Sequence, residues 1–395
     1  MSWTRRGALA AGAAALSACA SYRPSTPRLA RLVEGPDAVL GLAVIARDAR
    51  GRIVLQEAHG HAVRGSGAAR TERPFAADAP MRVASISKMI AALAVATLIR
   101  DGRLDPDADV STALGWRLRH PAAPDTPITP RMLAAHVSGL RNGETYPVPL
   151  GRALREAFEP GGRHYDGGAW FAPAAEGPGF FSYQDVNFAL LAQLAERITG
   201  ERFDRFVRRV VLAPLGLDAG YNWSGVGQAA RDRAAAACRP ENGVWTPQVD
   251  AEVPPAPAVR VLVAEETPGA VADDYRIGEN GFVLSPQGGL RASTRDLDAL
   301  AQAFAGRGPA PFPRDLVEAV SRPVWTAREG RGDPFGGLYQ AYGFGVQTLV
   351  GTSDRLFAGE GRWRGHFGDA YGLASGLLWA EDGRTLAYVI CGVPR

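Results

Sequence analysis

From Val39 onward the apolar and polar positions follow two periods, and the period changes twice along the chain. Leu40-Gly41-Leu42-Ala43-Val44-Ile45 and Ile53-Val54-Leu55 flank the polar turn Arg47-Asp48-Ala49-Arg50-Gly51, which predicts a hairpin. The middle of the chain turns helical. Ser85 to Arg100 is apolar on nearly every side, the mark of a buried helix, and Asp101-Gly102 ends it. Leu190, Leu191, Leu194 and Ile198 keep helical spacing up to Gly200, and Phe203, Phe206, Val207, Val210 and Val211 do so before Pro214. Asp296 to Phe304 is the last helical stretch. Strands return over 342–350, 356–367, 375–379 and 385–391, the last two joined by Glu381-Asp382-Gly383-Arg384. Residues 222–282 show no clear period. Strands at both ends with helices between predict an α+β fold. Its sheet is expected to be antiparallel, five-stranded and drawn from residues 39–82 and 283–395, with an all-helical region, 83–282, inserted.

The first 38 residues stand outside that pattern. Thr4-Arg5-Arg6-Gly7 precedes a small-residue apolar stretch from Ala8 to Ala18, too short to span a bilayer but suited to an export signal of the twin-arginine type. Leu16-Ser17-Ala18-Cys19 resembles a bacterial lipobox. The expectation is a signal over 1–18, a lipidated Cys19, a tether over 19–38 and a place in the periplasm or cell envelope. The membrane would then be met only through that anchor. Net charge is +3, of which Arg5 and Arg6 carry +2, leaving +1 after processing. The lack of a basic stripe or binding motif argues against nucleic acid as a partner, and no obligate protein partner is evident. Cys238 and Cys391 are the other cysteines; two distant cysteines make no disulfide framework, and buried free thiols are expected. His59 and His61 bracket Gly60 without a third ligand in view, so no metal is expected.

Of 44 basic side chains, 43 are arginine and one is lysine, Lys88, three residues after Ser85. On a helix that spacing puts both side chains on one face, about 5–6 Å apart at Cβ. A serine hydroxyl needs a neighbouring base to become a nucleophile, and an ammonium, unlike a guanidinium, can be desolvated into one. A helix start also offers backbone N–H groups to an oxyanion. No Gly-x-Ser-x-Gly elbow is present, which argues against an α/β-hydrolase.

Three elements in order, Ser85-Ile86-Ser87-Lys88, Tyr183-Gln184-Asp185 and His366-Phe367-Gly368-Asp369, resemble the serine β-lactamase and penicillin-binding superfamily, particularly its class C-like branch with D-peptidases and esterases. His136-Val137-Ser138-Gly139-Leu140, Pro214-Leu215-Gly216-Leu217 and Gly288-Gly289-Leu290 extend the likeness over about residues 39–393. The resemblance implies a β-lactamase/transpeptidase-like fold and an acyl-enzyme on Ser85, with Lys88 as its partner and Tyr183 shuttling the proton. It further implies an oxyanion hole from the N–H groups of Ser85 and Asp369, a substrate-facing strand at His366 and Gly368, and no cofactor. The substrate would be a small molecule or peptide: a D-amino-acid peptide of cell-wall type, a small ester, or a β-lactam. Two departures from the family pattern matter. Asp185 stands where asparagine is usual; ionised, it is acceptor-only and would hold Lys88 as an ammonium, favouring Tyr183 as the base. His366 replaces a lysine that anchors a substrate carboxylate, and a histidine is only partly charged at neutral pH. The competing reading is a non-catalytic envelope lipoprotein that binds peptides in an inherited pocket.

Overall fold

The computed structural model describes residues 29–65, 68, 70–251, 275–327, 331–350 and 362–393. The export signal, Cys19 and the first part of the tether lie outside the described residues.

The predicted hairpin is β1 (Gly41–Arg47) and β2 (Ile53–Arg64), with β3 (Thr71–Pro74) on its outer side. β4 (Met81–Arg82) leads into the buried helix α1 (Ile86–Arg100). Two later helices matter here, α2 (Val186–Thr199) and α3 (Thr294–Phe304). Between them come β5 (Ala237–Glu241), β6 (Val244–Val249) and β7 (Arg291–Ala292). The chain closes with β8 (Trp325–Thr326), β9 (Ala341–Tyr342), β10 (Gln347–Val350), β11 (Arg362–Ala370), β12 (Leu373–Ala380) and β13 (Thr385–Cys391).

One antiparallel sheet runs in the order β3-β2-β1-β13-β12-β11-β10-β9-β8. The two termini meet at its centre, where Gly41 pairs with Cys391 and Arg47 with Thr385. Four of the five long strands, β1, β2, β12 and β13, lie where expected, while the strand expected over 356–367 is β11 at Arg362–Ala370, with 356–361 outside the described residues. The sheet is nevertheless nine strands wide among the described residues, because β3 and β8–β10 add edges of two to four residues. Such short strands carry too few positions for alternation to register. The span 342–350, expected as one strand, is split into β9 and β10 by a turn at Gly343–Val346.

Alternation along β1 sorts side chains to two faces. Ala43 and Ile45 face the large core with α1 and α3, whereas Leu42, Val44 and Ala46 join Leu378, Tyr388 and Ile390 on the opposite face. Leu29 is buried there, with Leu32 and Val33 of the short 3-10 helix Ala30–Val33 packed alongside. Residues 29–33 thus cover part of the outer face.

The inserted region is not purely helical. β5 and β6 form a separate hairpin turning at Asn242-Gly243, both at positive φ (51° and 77°). Asn-Gly is the strongest short hairpin signal, and it was there to be read. Cys238 and Cys391 are both buried free thiols, each within hydrogen-bonding reach of the Ala236 carbonyl. His59 pairs with Glu57 and His61 with Glu72, and among the described residues no cluster of three or more ligating side chains could hold a metal.

Candidate active site

Every residue of α1 from Ile86 to Leu98 is buried, so the helix runs through the core as an apolar rod. Ser85 sits half-buried at its N-cap, where the chain leaves Ala84 at φ 48°. That turn is pinned from three directions. β4 pairs with β7, Ser87 Oγ accepts from the Leu290 amide at 2.9 Å and donates to the Ala84 carbonyl at 2.6 Å, and Ser375 of β12 donates to the Val83 carbonyl at 2.8 Å. The predicted helix start therefore becomes a rigid pedestal for Ser85.

One turn along α1, Lys88 is 1% exposed, and three acceptors surround its Nζ: Asp185 Oδ1 at 2.7 Å, the Gln287 carbonyl at 2.8 Å and Ser85 Oγ at 3.1 Å. An ammonium has three N–H donors, and each has an acceptor here. The nitrogen also lies 4.8 Å from the centroid of the Tyr183 ring. Ser85, Lys88, Tyr183 and Asp185, which are separated by up to 100 residues in sequence, thus converge on one point.

Tyr183 and Asp185 are delivered by the loop that opens α2, and that loop is clamped by the His136–Asn142 segment. Ser182 N–H donates to the His136 carbonyl at 2.9 Å, and Gln184 N–H donates to His136 Nδ1 at 3.1 Å. Ser138 Oγ donates to Asn187 Oδ1 at 2.6 Å, and Val186 N–H to Asn142 Oδ1 at 3.1 Å. Burial, reinforced by the nearby Lys88, drives the pKa of His136 well down, so its neutral ring serves as a hydrogen-bond acceptor. The Tyr183 ring is held between Tyr339, stacked at 5.8 Å between centroids, and Phe335, edge-on at 6.1 Å.

The β11 segment arrives beside the Ser85 turn. A Cβ built on Gly368 would meet the Val83 carbonyl and Ser375 Oγ, each at 2.3 Å, so only glycine lets the strand come this close. Gly368→Ala is therefore expected to push β11 off the Ser85 turn. Overpacking of this kind costs about 1–3 kcal/mol, and a shift of about 1 Å in a reacting geometry costs about a hundredfold. Ester hydrolysis measured beside thermal unfolding checks this: a folded variant with full kcat/KM would contradict it.

His366 is placed differently from expectation. It is fully buried; Nδ1 donates to the Phe367 carbonyl at 2.6 Å, and Nε2 accepts from Tyr342 Oη at 2.9 Å. Burial, with Lys88 nearby, lowers its pKa to about 3, so the ring is neutral. Nε2 ties β11 to Tyr342 of β9 and Nδ1 is spent on the carbonyl of the next residue of β11, so the ring presents no charge to a ligand. Asp369 follows Gly368 and pairs across the sheet with Ala374.

Two residues of this site carried no motif. Tyr146 Oη donates to Asp185 Oδ2 at 2.9 Å, and Gln287 Nε2 donates to Tyr146 Oη at 3.3 Å. Only their meeting around Asp185 reveals them.

A pinned serine on a buried helix, a desolvated lysine one turn on and a tyrosine-bearing loop, all beside an antiparallel sheet, define a serine hydrolase with the β-lactamase/transpeptidase-like fold. The chain belongs to the Beta-lactamase family, whose model matches residues 29–391. It is 27% identical over 349 residues to esterase EstB of Burkholderia gladioli, a match covering 84% of this chain and 81% of that protein. Among solved structures, a D-stereospecific amidohydrolase from Streptomyces sp. superposes with a TM-score of 0.59 at 19% identity, over 97% of this chain and 94% of that one. A D-amino acid amidase from Ochrobactrum anthropi SV3 does so with a TM-score of 0.61 at 18% identity, over 90% of this chain and 87% of that one. At these identities the two structures speak for the fold.

Proposed function

We propose that Ser85 is the nucleophile of a hydrolase acting on esters or amides that need no carboxylate anchor. The observation that carries this is the convergence of Ser85, Lys88, Tyr183 and Asp185, with all three Lys88 donors engaged. Lys88 acts as a fixed ammonium, and Tyr183 is the proton carrier. The phenolate of Tyr183 takes the Oγ proton as Oγ bonds to the substrate carbonyl carbon. Positive charge 4.8 Å from its ring stabilises the negative form. The resulting oxyanion is received by the N–H groups of Ser85 and Asp369, in a site where aimed donors are worth more than in water. Collapse breaks the ester or amide bond, and the departing alcohol or amine leaves with the proton from Tyr183. Water then repeats the sequence on the acyl-enzyme, which restores Ser85 and releases the acid.

Substrate preference follows from charge. Lys88 and Asp185 offset one another, and His366 is neutral, so these residues offer no net cation to a substrate carboxylate. Neutral esters, or amides of the kind named for the D-amino acid amidase relative, fit this better than β-lactams or D-Ala-D-Ala peptides, which carry a carboxylate. Export by the twin-arginine signal and anchoring through Cys19 complete the reading, on the strength of Thr4-Arg5-Arg6-Gly7 and Leu16-Ser17-Ala18-Cys19.

Labelling with a fluorescent fluorophosphonate is expected to modify Ser85, and Ser85→Ala is expected to abolish the adduct. A panel of p-nitrophenyl esters, D-amino-acid amides, D-Ala-D-Ala peptides and nitrocefin is expected to show highest kcat/KM on the neutral members. An unlabelled, well-folded protein would sink the hydrolase reading; preference for nitrocefin would sink the charge argument.

A further inference from the structure

We propose that Tyr146 is a positioning residue of this hydrolase: its hydroxyl orients the Asp185 carboxylate, which in turn aims Lys88 at Ser85. The inference rests on the hydrolase reading above and adds to it a residue outside the Ser-x-x-Lys, Tyr-x-Asp and His-x-Gly elements.

The four groups close a ring. Lys88 Nζ meets Asp185 Oδ1 at 2.7 Å, Asp185 Oδ2 accepts from Tyr146 Oη at 2.9 Å, Tyr146 Oη accepts from Gln287 Nε2 at 3.3 Å, and the Gln287 carbonyl accepts from Lys88 at 2.8 Å. A carboxylate held at one oxygen can rotate about its Cβ–Cγ bond; held at both, it cannot. With Oδ2 fixed by Tyr146, Oδ1 stays on Lys88, and the remaining N–H of the ammonium falls on Ser85 Oγ at 3.1 Å. Asp185 is the half-exposed partner, at 28%, against 1% for Lys88. Without Tyr146, water can compete for it.

Tyr146 is suited to donating to Asp185 while its oxygen accepts from Gln287. Burial and the adjacent Asp185 carboxylate push its pKa far above the usual tyrosine value, so it remains a neutral phenol. The ring packs edge-on to Phe282 at 5.2 Å, which fixes where the hydroxyl points. The other titratable groups around this ring are Tyr183, whose ring centroid is 4.8 Å from Lys88 Nζ, Tyr371 beside Tyr146, Tyr342 near Asp185, and His136 and His366 near Lys88. Burial holds Tyr342 as a neutral phenol and both histidines as neutral rings.

The test is a double-mutant cycle with Tyr146→Phe, Asp185→Asn and the double variant, read by kcat and KM separately on a p-nitrophenyl ester. Tyr146→Phe is expected to lower kcat about tenfold with KM nearly unchanged. In the Asp185→Asn background the same change is expected to do little. Full additivity of the two substitutions, or a Tyr146→Phe effect confined to KM, would overturn the positioning role. Fluorophosphonate labelling separates the two levels. Labelled Ser85 with an additive cycle removes this inference alone, whereas an unlabelled wild-type protein removes the hydrolase reading beneath it.

Discussion

Lys88→Arg is expected to lose about a thousandfold in kcat/KM on the best ester substrate, within the range associated with a positioned proton-transfer apparatus. The substitution keeps the charge, so the loss isolates geometry. In the native site one nitrogen is met by three acceptors at 2.7, 2.8 and 3.1 Å, with the rings of Tyr183 and Phe188 at 4.8 and 5.9 Å. A compact ammonium satisfies that arrangement; a planar fork of five donors cannot direct three N–H bonds from one point. Lys88→Met is the companion variant. It removes the charge and leaves Asp185 without its cation, and a comparable loss is expected. Steady-state kinetics, run beside thermal unfolding to verify folding, decide the matter. Near-normal turnover in Lys88→Arg would show that a diffuse positive charge suffices.

Asp250→Asn is expected to be the most damaging substitution for stability. Asp250 is buried and held by two buried arginines: Arg291 reaches Oδ1 at 3.0 Å and Oδ2 at 3.3 Å, and Arg82 reaches Oδ2 at 3.2 Å. Trp223 Nε1 adds a bond to Oδ1 at 3.2 Å. Removing the one anion from such a cluster leaves two guanidinium groups uncompensated, a loss of about 3–5 kcal/mol. The consequence reaches the catalytic residues, because Arg82 and Arg291 are the paired residues of β4 and β7 beneath the Ser85 turn. The two arginines hold the Asp250 carboxyl far below the usual carboxylate range despite its burial. A depressed folded-state pKa contributes stability that is complete above the unfolded value of about 3.9 and is lost as pH falls toward the folded one. Urea midpoints are therefore expected to decline below about pH 4 in the wild type and to decline less in Asp250→Asn. Equal midpoints for the two proteins at pH 7 would refute the assignment.

How much was legible beforehand differs by element. The buried helix from Ile86, the β1–β2 hairpin and the β12–β13 hairpin were visible because each has a local cause: an unbroken apolar surface, or a polar turn between apolar runs. Ser85 and Lys88 were visible for a similar reason, since one helical turn places i and i+3 together wherever the helix lies. Asp185 was legible as an acceptor in an asparagine position, and its contact with Lys88 is the one found. His366 was misread. Its type and motif pointed to substrate, but its burial and its bonds to Phe367 and Tyr342 depend on how β9, β10 and β11 stack, which no local pattern encodes. The Asn242-Gly243 hairpin has a local cause of the same kind, set in a Pro- and Ala-rich stretch without a clear period.

Tyr146 and Gln287 mark the limit. Neither lies in a motif, they are 141 residues apart, and each is an ordinary polar residue in a loop until Tyr146 meets Asp185 and Gln287 meets Tyr146 and Lys88. The sequence by itself determined the α+β character, the pairing of its two ends into one sheet and the Ser85–Lys88 couple, since periodicity and short-range spacing act within a few residues. The tertiary structure alone decided which acceptors surround the single lysine and which aromatic rings hold Tyr183. It also decided that His366 is a neutral brace. Those outcomes are set by burial and long-range packing, which fix distances of a few ångströms between residues far apart along the chain.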